Sequence, residues 1–238
     1  MKRLLAAILT ATLFAVGVEG MEPVVRTDGV EYQILGDGRA SCQLVDAPAM
    51  LMRQTVENNG KKIIVTVITK GSRRASCVVI PNGVEIIGEK CFMDCKSLNE
   101  VIFEDNSSLR QIDKMAFSYS GLESIRIPAT VEFIGMGCFR YCKSLREVIF
   151  EGDSNLREID ERAFSESGLE SIRIPATVEI IGEHCFGYCR SLNEVIFEAN
   201  SHLEIIDASA FRETNLRSIQ IPSGVEIIGE SCFVNAKI

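Results

Sequence analysis

A repeat of 47 residues constrains this chain more than any other feature of its sequence. Leu122–Gly168 is followed by a nearly identical copy, Leu169–Asn215, and a third copy runs from Leu216 to Ile238. A fourth lies upstream, at about Ala75–Gly121. The prolines keep the same period, at Pro81, Pro128, Pro175 and Pro222. A fixed period of this size is typical of a solenoid, in which stacked repeats share one continuous core.

Each 47-residue unit divides into two similar halves. In the copy Leu122–Gly168, the apolar residues of the first half are Leu122, Ile125, Ile127, Val131, Ile134 and Phe139. Those of the second half are Leu145, Val148, Phe150, Leu156, Ile159 and Phe164. The structural repeat is therefore 23 or 24 residues, and about seven coils fit between residues 75 and 238, the last of them incomplete. Residues two apart share one face of a strand, so we expect Ile125 and Ile127 to point inward from a short strand.

The repeat resembles the BspA-like, spirochaete-type leucine-rich repeats over about two thirds of the chain. The pattern is carried by Leu169, Ile172, Ile174, Pro175, Val178, Ile181, Gly182, Cys185, Phe186, Cys189 and Leu192. The resemblance implies a right-handed stack of coils with one parallel β-sheet and return arcs that are mostly irregular or short helices. It also implies an extracellular or cell-surface protein associated with adhesion or with binding to other proteins.

The first twenty residues have the features of a secretory signal. Lys2 and Arg3 precede an apolar segment, Leu4–Val18, that is short for a membrane span. We therefore predict a signal peptide at 1–20, cleavage near Gly20, and a secreted or cell-surface product. An uncleaved anchor is the alternative.

Residues 21–74 lie outside the repeat and are predicted to form a β-rich N-terminal cap, followed by the repeat domain at 75–238. Val30–Leu35 and Arg39–Val45 read as the two strands of a hairpin, and Lys61–Lys70 is the strongest β-forming run of the chain. A cap is expected because the first coil of a solenoid would otherwise leave a strand edge and core residues open.

The charge restricts the class of partner. The formal net charge is -8, spread along the repeats. Nucleic acids and anionic membranes attract basic faces, so neither is expected as the main partner, and no segment after the signal is predicted to insert in a membrane. An extracellular protein or glycan is the expected partner.

Seven of the nine cysteines recur in register with the repeat. Cys91, Cys138, Cys185 and Cys232 precede the Phe of the return arc, and Cys95, Cys142 and Cys189 follow it. Equivalent cysteines are two coils, roughly 10 Å, apart, whereas a disulfide needs Cα atoms within about 7 Å. We therefore expect buried, reduced thiols, with a bridge inside each C-x3-C pair or between Cys42 and Cys77 as the oxidised alternatives.

The sequence offers little for metal binding or catalysis. His184 precedes the C-x3-C pair of Cys185 and Cys189, but the sister repeats have Lys90, Gly137 or Ser231 at its position. A structural zinc site needs four converging ligands, and a thiol nucleophile needs an accessible thiolate beside a base. We expect no metal, no cofactor, no catalytic residue and no enzymatic activity.

The candidate binding residues lie on the outward side of the predicted strands. Side chains that alternate with the core residues form this sheet face, and the middle row runs Val79, Ile102, Arg126, Ile149, Arg173, Ile196 and Gln220. The flanking glutamates are Glu100, Glu104, Glu147, Glu151, Glu194 and Glu198, and Pro128 is also expected to point outward. Exposed isoleucines in a row favour a contact surface. They are equally explained by the preference of Ile for strands and by Glu–Arg pairing across strands.

Two functions follow from this interpretation. The first is a secreted or cell-surface interaction or adhesion module that binds a protein or glycan through its sheet face. The second is a structural or self-associating surface element without a dedicated ligand. For the second, copies would join end to end at the last coil, whose strand edge and core residues are expected to be open.

Overall fold

The computed structural model describes residues 24–27, 30–34, 39–44, 49–51, 55–58, 61–71 and 73–238. The predicted signal peptide, 1–20, lies outside these residues.

Nineteen strands are present in the described part of the chain, and residues 73–238 contain no helix. The N-terminal strands are β1 (Val24–Thr27), β2 (Val30–Ile34), β3 (Arg39–Leu44), β4 (Ala49–Leu51), β5 (Thr55–Asn58) and β6 (Lys61–Lys70). Four-residue strands of the repeats are β7 (Cys77–Ile80), β9 (Glu100–Phe103), β11 (Ser124–Ile127), β13 (Glu147–Phe150), β15 (Ser171–Ile174) and β17 (Glu194–Phe197). Two-residue strands are β8 (Ile86–Ile87), β10 (Gln111–Ile112), β12 (Phe133–Ile134), β14 (Glu158–Ile159), β16 (Ile180–Ile181), β18 (Ile205–Ile206) and β19 (Ile227–Ile228).

The repeats form the predicted solenoid of parallel strands, with about seven turns. The two-residue strands pair in unbroken order from β8 to β19, and we call this row the narrow ladder. The four-residue strands lie on another side of the coil and form the sheet face. The prediction of a single parallel sheet with short helices is therefore incomplete, because the return arcs contribute a second row of strands, and the segments between the rows are turns.

The sheet face is hydrogen-bonded in separate groups. Strand β11 pairs only with β13, β15 only with β17, and β7 joins β9 and β4. Ser124 and Glu147 are 23 residues apart and paired, whereas Glu147 and Ser171, 24 residues apart, belong to different sheets. The sheet face is therefore broken wherever two successive strands begin 24 rather than 23 residues apart.

The N-terminal strands cover the first coil in both rows. Strand β6 pairs in parallel with β8, and β4 pairs in parallel with β7. The predicted hairpin is confirmed by the antiparallel pairing of β2 with β3, and the predicted strand Lys61–Lys70 is confirmed as β6. Both open edges of the first coil are thus paired with backbone from outside the repeat, as the cap argument requires.

The core contains a column of seven stacked phenylalanines, one from each coil. Their ring centroids are 5.1 to 5.6 Å apart and the rings are within 6° of parallel. The column consists of Phe92, Phe117, Phe139, Phe164, Phe186, Phe211 and Phe233. Phe164 is fully buried between rings on both sides, so its whole surface is removed from water.

The backbone N–H groups of the return segments donate hydrogen bonds alternately to carbonyls of the same coil and to carbonyls of the next coil. The N–H of Cys185 donates to Gly182 in its own coil, at 3.1 Å, and the N–H of Phe186 donates to Ala210 in the next coil, at 2.8 Å. The two residues with positive φ in this segment are His184 (54°) and Tyr188 (62°). A non-glycine residue in this conformation costs free energy. The cost is repeated in every coil and is offset by the bonds between coils.

Removing one ring from the Phe column should destabilise the protein strongly. We expect Phe164→Ala to lower the free energy of unfolding by about 3–5 kcal/mol, because it leaves a cavity between two rings. Phe133→Ala, at a half-buried ring of the narrow ladder, should cost about 1 kcal/mol or less. Urea unfolding followed by circular dichroism measures both, and equal effects would contradict the central role of the column.

Candidate functional site

The outward residues of the sheet face lie in register across the paired strands. Val79 is opposite Ile102, Arg126 is opposite Ile149, and Arg173 is opposite Ile196. Glu100, Ile102, Glu104, Arg126, Glu147, Arg173, Glu194 and Gln220 are exposed, and Ile149, Glu151, Ile196 and Glu198 are half-buried. The structure therefore places the predicted middle row on one surface. Its most exposed isoleucine is Ile102, at 43%.

The expectation that Pro128 points outward is wrong. Pro128 and its counterparts Pro81 and Pro175 are buried, because the strand alternation ends one residue earlier. The carbonyl of Pro128 accepts the N–H of Val131 at 3.1 Å, so the proline begins a turn that leaves the sheet face. The apolar part of the face is accordingly narrower than predicted.

The charged side chains of the sheet face are held in different ways. Arg126 Nε is 3.8 Å from Glu151 Oε1, the predicted pairing of Arg and Glu between neighbouring strands. In contrast, Glu198 Oε2 accepts the backbone N–H of Ala176 at 3.3 Å. Arg173 forms no ion pair with the residues that the structure describes, so its guanidinium group is exposed and available to a partner.

One groove on the sheet face brings several predicted residues together. It has a volume of about 480 Å³ and lies between β17 and residues 218–220. Glu194, Ile196 and Gln220 line it. Residues 216–221 form no strand, unlike their counterparts in the preceding copies. Those counterparts, β11 and β15, do not pair with the strand before them, so the groove lies at a junction where the sheet face is also broken in the earlier copies.

The last coil exposes apolar side chains. Ile227 and Ile228 of β19 are 54% and 49% exposed, and Val234 and Ile238 are also exposed. In earlier coils the residues equivalent to Ile228 are fully buried, for example Ile181.

The prediction of buried thiols is confirmed. Eight of the nine cysteines are buried and Cys77 is half-buried, and all nine lie among the described residues without a disulfide between them. Burial raises the pKa of Cys42 to about 12 and the pKa of Cys142 and Cys189 to about 11. The thiolate form needed for nucleophilic attack is therefore suppressed at neutral pH.

The cysteines that follow the stacked Phe also bond to backbone. Cys142 Sγ donates to the carbonyl of Phe117 at 3.1 Å and lies 3.3 Å from Ser120 Oγ. Cys189 repeats both contacts, with the carbonyl of Phe164 at 3.0 Å and Ser167 Oγ at 3.3 Å. These thiols connect neighbouring coils, which explains why alternate coils use a hydroxyl at the same position.

A second surface, not predicted from the sequence, lies along the turns that follow the Phe column. The residue two places after each stacked Phe is exposed or half-buried there, and the row reads Asp94, Tyr119, Tyr141, Glu166, Tyr188, Glu213 and Asn235. We call this row the tyrosine edge. Three of the four tyrosines of the chain lie in it. That recurrence, two residues after a core Phe, is the sequence signal that could have identified it.

Two cations lie beside the ring of Tyr141 in the tyrosine edge. Tyr119 and Tyr141 stack with their centroids 4.5 Å apart, and the guanidinium carbon of Arg140 lies 4.7 Å from the centroid of Tyr141. Lys143 Nζ is 5.3 Å from the same centroid. Contact with the Glu166 carboxylate raises the pKa of Tyr141, since ionisation of its hydroxyl would remove that hydrogen bond.

The part of the chain that the structure describes lacks two further features. It contains no group of three or more His, Cys, Asp or Glu side chains arranged to hold a metal ion. Within the same residues, no helix has the length and hydropathy required to span a bilayer.

A family model shows what the repeats are. The model for the BspA-type leucine-rich repeat region matches residues 70–193 and 110–238, with six copies. The matched segments together span more than half of the chain. A search of curated proteins finds no match.

Solved structures with the same architecture come from several bacteria. The pneumococcal vaccine antigen PcpA superposes with a TM-score of 0.71 and 21% identity, over 91% of this chain and 68% of that one. A leucine-rich cell surface protein from Faecalibacterium prausnitzii has a TM-score of 0.54 and 25% identity, over 75% and 55%. A leucine-rich repeat protein from Bacteroides ovatus has a TM-score of 0.55 and 24% identity, over 84% and 59%.

This chain thus spans 55 to 68% of the length of these three proteins. At identities of 21% and 24%, the first and third comparisons show a shared fold.

The burial of the thiols predicts how they react. At pH 8 a thiol-alkylating reagent should modify Cys77 first in the folded protein, because it alone is half-buried, and all nine cysteines in denaturant. Mass spectrometry of the alkylated peptides identifies the sites. Fast modification of Cys142 or Cys189 in the folded protein would contradict the assignment of these thiols to the core.

Proposed function

Because the chain belongs to the family of BspA-type leucine-rich repeat proteins, we propose that it is a secreted or cell-surface module that binds a protein partner through its sheet face. Proteins with this repeat are cell-surface repeat proteins, which is consistent with a role in protein interaction. Scaffolds of this kind are generally non-enzymatic. The apolar segment Leu4–Val18 and the cell-surface neighbour from Faecalibacterium prausnitzii support the location.

The observation that carries the proposal is that the middle row points outward on successive coils. Ile102, Arg126, Ile149 and Arg173 come from four successive coils and share one surface with exposed or half-buried side chains. A row that mixes aliphatic side chains with arginines has the composition of a protein-binding surface, where Arg is enriched and apolar contact provides the core of the interface. The folded coils present these side chains together, which lowers the ordering cost of binding.

The charge of the sheet face indicates the chemistry of the partner. Glu100, Glu147 and Glu194 are exposed at the start of alternate strands, two coils apart. Like charges across an interface repel, so the contact surface of the partner is basic opposite this row. Arg173 is on the strand between those of Glu147 and Glu194. Its exposed guanidinium group binds a carboxylate or a carbonyl group of the partner.

The proposal is tested by reversing the chemistry of the middle row. Ile102→Asp combined with Arg173→Glu should weaken binding at least tenfold, because it places two carboxylates in the contact surface. The free energy of unfolding should change by no more than about 1 kcal/mol, since both side chains are exposed. The partner is first captured by cross-linking the full chain in its extracellular environment, and the purified partner is then titrated.

The matched control is Ile180→Asp combined with Arg157→Glu on the narrow ladder. It makes the same changes of charge and hydropathy away from the sheet face and should leave binding unchanged. If both double variants bind the partner equally well, the sheet face is not the binding site.

Self-association at the last coil stays a prediction, and with it the alternative of a structural surface element without a dedicated ligand. The exposed side chains of Ile227 and Ile228 are the observation that favours it, because apolar surface of this kind associates in water. Light scattering of the concentrated protein measures it, and Ile227→Lys should shift any oligomer toward monomer. A monomer at high concentration would contradict the prediction.

A further inference from the structure

The tyrosine edge differs in charge from the rest of this acidic chain. The basic side chains along it are Lys96, Arg140, Lys143, Arg190 and Arg212, and its acidic side chains are Asp94, Glu166 and Glu213. It therefore has a net positive charge on a protein whose formal net charge is -8. The sheet face, in contrast, is lined by glutamates, so the two surfaces attract different ligands.

A groove of about 350 Å³ lies in the middle of this edge. Its lining includes Lys143, Glu166, Gly168, Tyr188 and Arg190. Gly168, at the position equivalent to Lys143 and Arg190 in the intervening coil, lines the groove without a side chain. A Cβ atom at Gly168 would collide with the carbonyl oxygen of Lys143, so the close approach of the two coils requires glycine here.

The cations at the groove are held loosely. Lys143 Nζ is 3.4 Å from Glu166 Oε2, and Arg190 is 3.8 Å from Glu213. The side chains of Lys143 and Arg190 are 64% and 77% exposed. Ion pairs of this length and exposure contribute little to stability, so an anionic ligand can compete for both cations.

The cations also recur at a fixed distance. Lys96, Lys143 and Arg190 are 47 residues, and therefore two coils, apart. The stacked rings of Phe139, Phe164 and Phe186 are 5.1 and 5.4 Å apart, which sets two coils at about 10 Å along the stack. This is close to the length of one disaccharide unit in an extended polysaccharide.

We propose that the tyrosine edge binds a linear acidic polysaccharide that has one carboxylate in each disaccharide unit. Successive carboxylates pair with Lys96, Lys143 and Arg190, which gives charge-assisted hydrogen bonds in the register of the coils. The exposed ring of Tyr119, in the coil between Lys96 and Lys143, packs against the apolar C–H face of the sugar between their two carboxylates. The exposed ring of Tyr188, in the same coil as Arg190, packs against the sugar bound there. Glu166, released from its ion pair with Lys143, accepts hydrogen bonds from sugar hydroxyls, whereas Glu213 stays bonded to Asn235 Nδ2 at 2.6 Å.

The repetition favours a polysaccharide over an acidic protein. A regular polymer presents the same charge at the same interval, so that each additional unit binds as an intramolecular step and the contacts reinforce one another. The carboxylates of an acidic protein surface are not spaced regularly at the distance between alternate coils. The exposed rings of Tyr119 and Tyr188, beside these cations, also match the apolar faces of the sugars in such a polymer.

The probe is a hyaluronan decasaccharide, which has one carboxylate per disaccharide, titrated into the full chain by calorimetry at low and at physiological salt. Lys143→Gln combined with Arg190→Gln should weaken binding about tenfold or more, and the wild-type affinity should fall as salt rises. Tyr188→Asn should also weaken binding. Asn adopts positive φ readily, so this change keeps the turn intact.

Three controls decide the outcome. A neutral chito-oligosaccharide of the same length should bind at least tenfold more weakly than hyaluronan. Arg126→Gln combined with Arg173→Gln on the sheet face removes the same charge and should leave hyaluronan binding unchanged. Poly-glutamate should bind more weakly, because it has no sugar faces.

The proposal is overturned if hyaluronan does not bind, or if the sheet-face variant loses as much affinity as the variant of the tyrosine edge. Equal binding of poly-glutamate would assign the edge to acidic polypeptides and would also overturn it. None of these results bears on the protein partner of the sheet face, since the two surfaces share no residue.

Discussion

Contact between the phenylalanine rings determines the distance from each coil to the next. Rings that stack at 5.1 to 5.6 Å leave the backbones of neighbouring coils close enough for hydrogen bonds in the narrow ladder and the return segments. The close approach excludes a side chain at Gly168 and brings Cys142 within bonding distance of Phe117. Backbone conformations that cost free energy, such as the positive φ of Tyr188, are maintained by backbone hydrogen bonds between coils, which recur along the stack.

Much of this architecture could be predicted from the period of the sequence. A 47-residue repeat with two similar halves dictated stacked coils, inward Ile125 and Ile127, and cysteines too far apart to pair. The breaks in the sheet face could not be predicted from the same pattern. Core residues such as Ile125 and Val148 alternate with outward residues in the same way, whether or not their strand is paired with the next one. Pro128 was misplaced since alternation was extended one residue past the end of the strand, into the turn. The tyrosine edge does not follow from the strand pattern, because its residues lie in turns at positive φ.

The two surfaces are separated by the way each coil is built. Side chains of the sheet face alternate with core residues on extended backbone, so any residue type that tolerates a strand can stand there. Side chains of the tyrosine edge stand at positive φ, and their neighbours are constrained by close approach of the next coil. Sequence variation along the two surfaces is therefore under different physical limits, and one surface can change its chemistry without disturbing the other.

The breaks in the sheet face also affect the mechanics of the solenoid. Along the narrow ladder every coil is hydrogen-bonded to the next, whereas on the sheet face β9 and β11, and β13 and β15, are in different sheets. Bending that widens the sheet face at these two junctions breaks no strand pairing, while bending that opens the narrow ladder breaks pairing in every coil. Strand pairing therefore opposes bending in every coil on the side of the narrow ladder, but only within each pair of coils on the side of the sheet face.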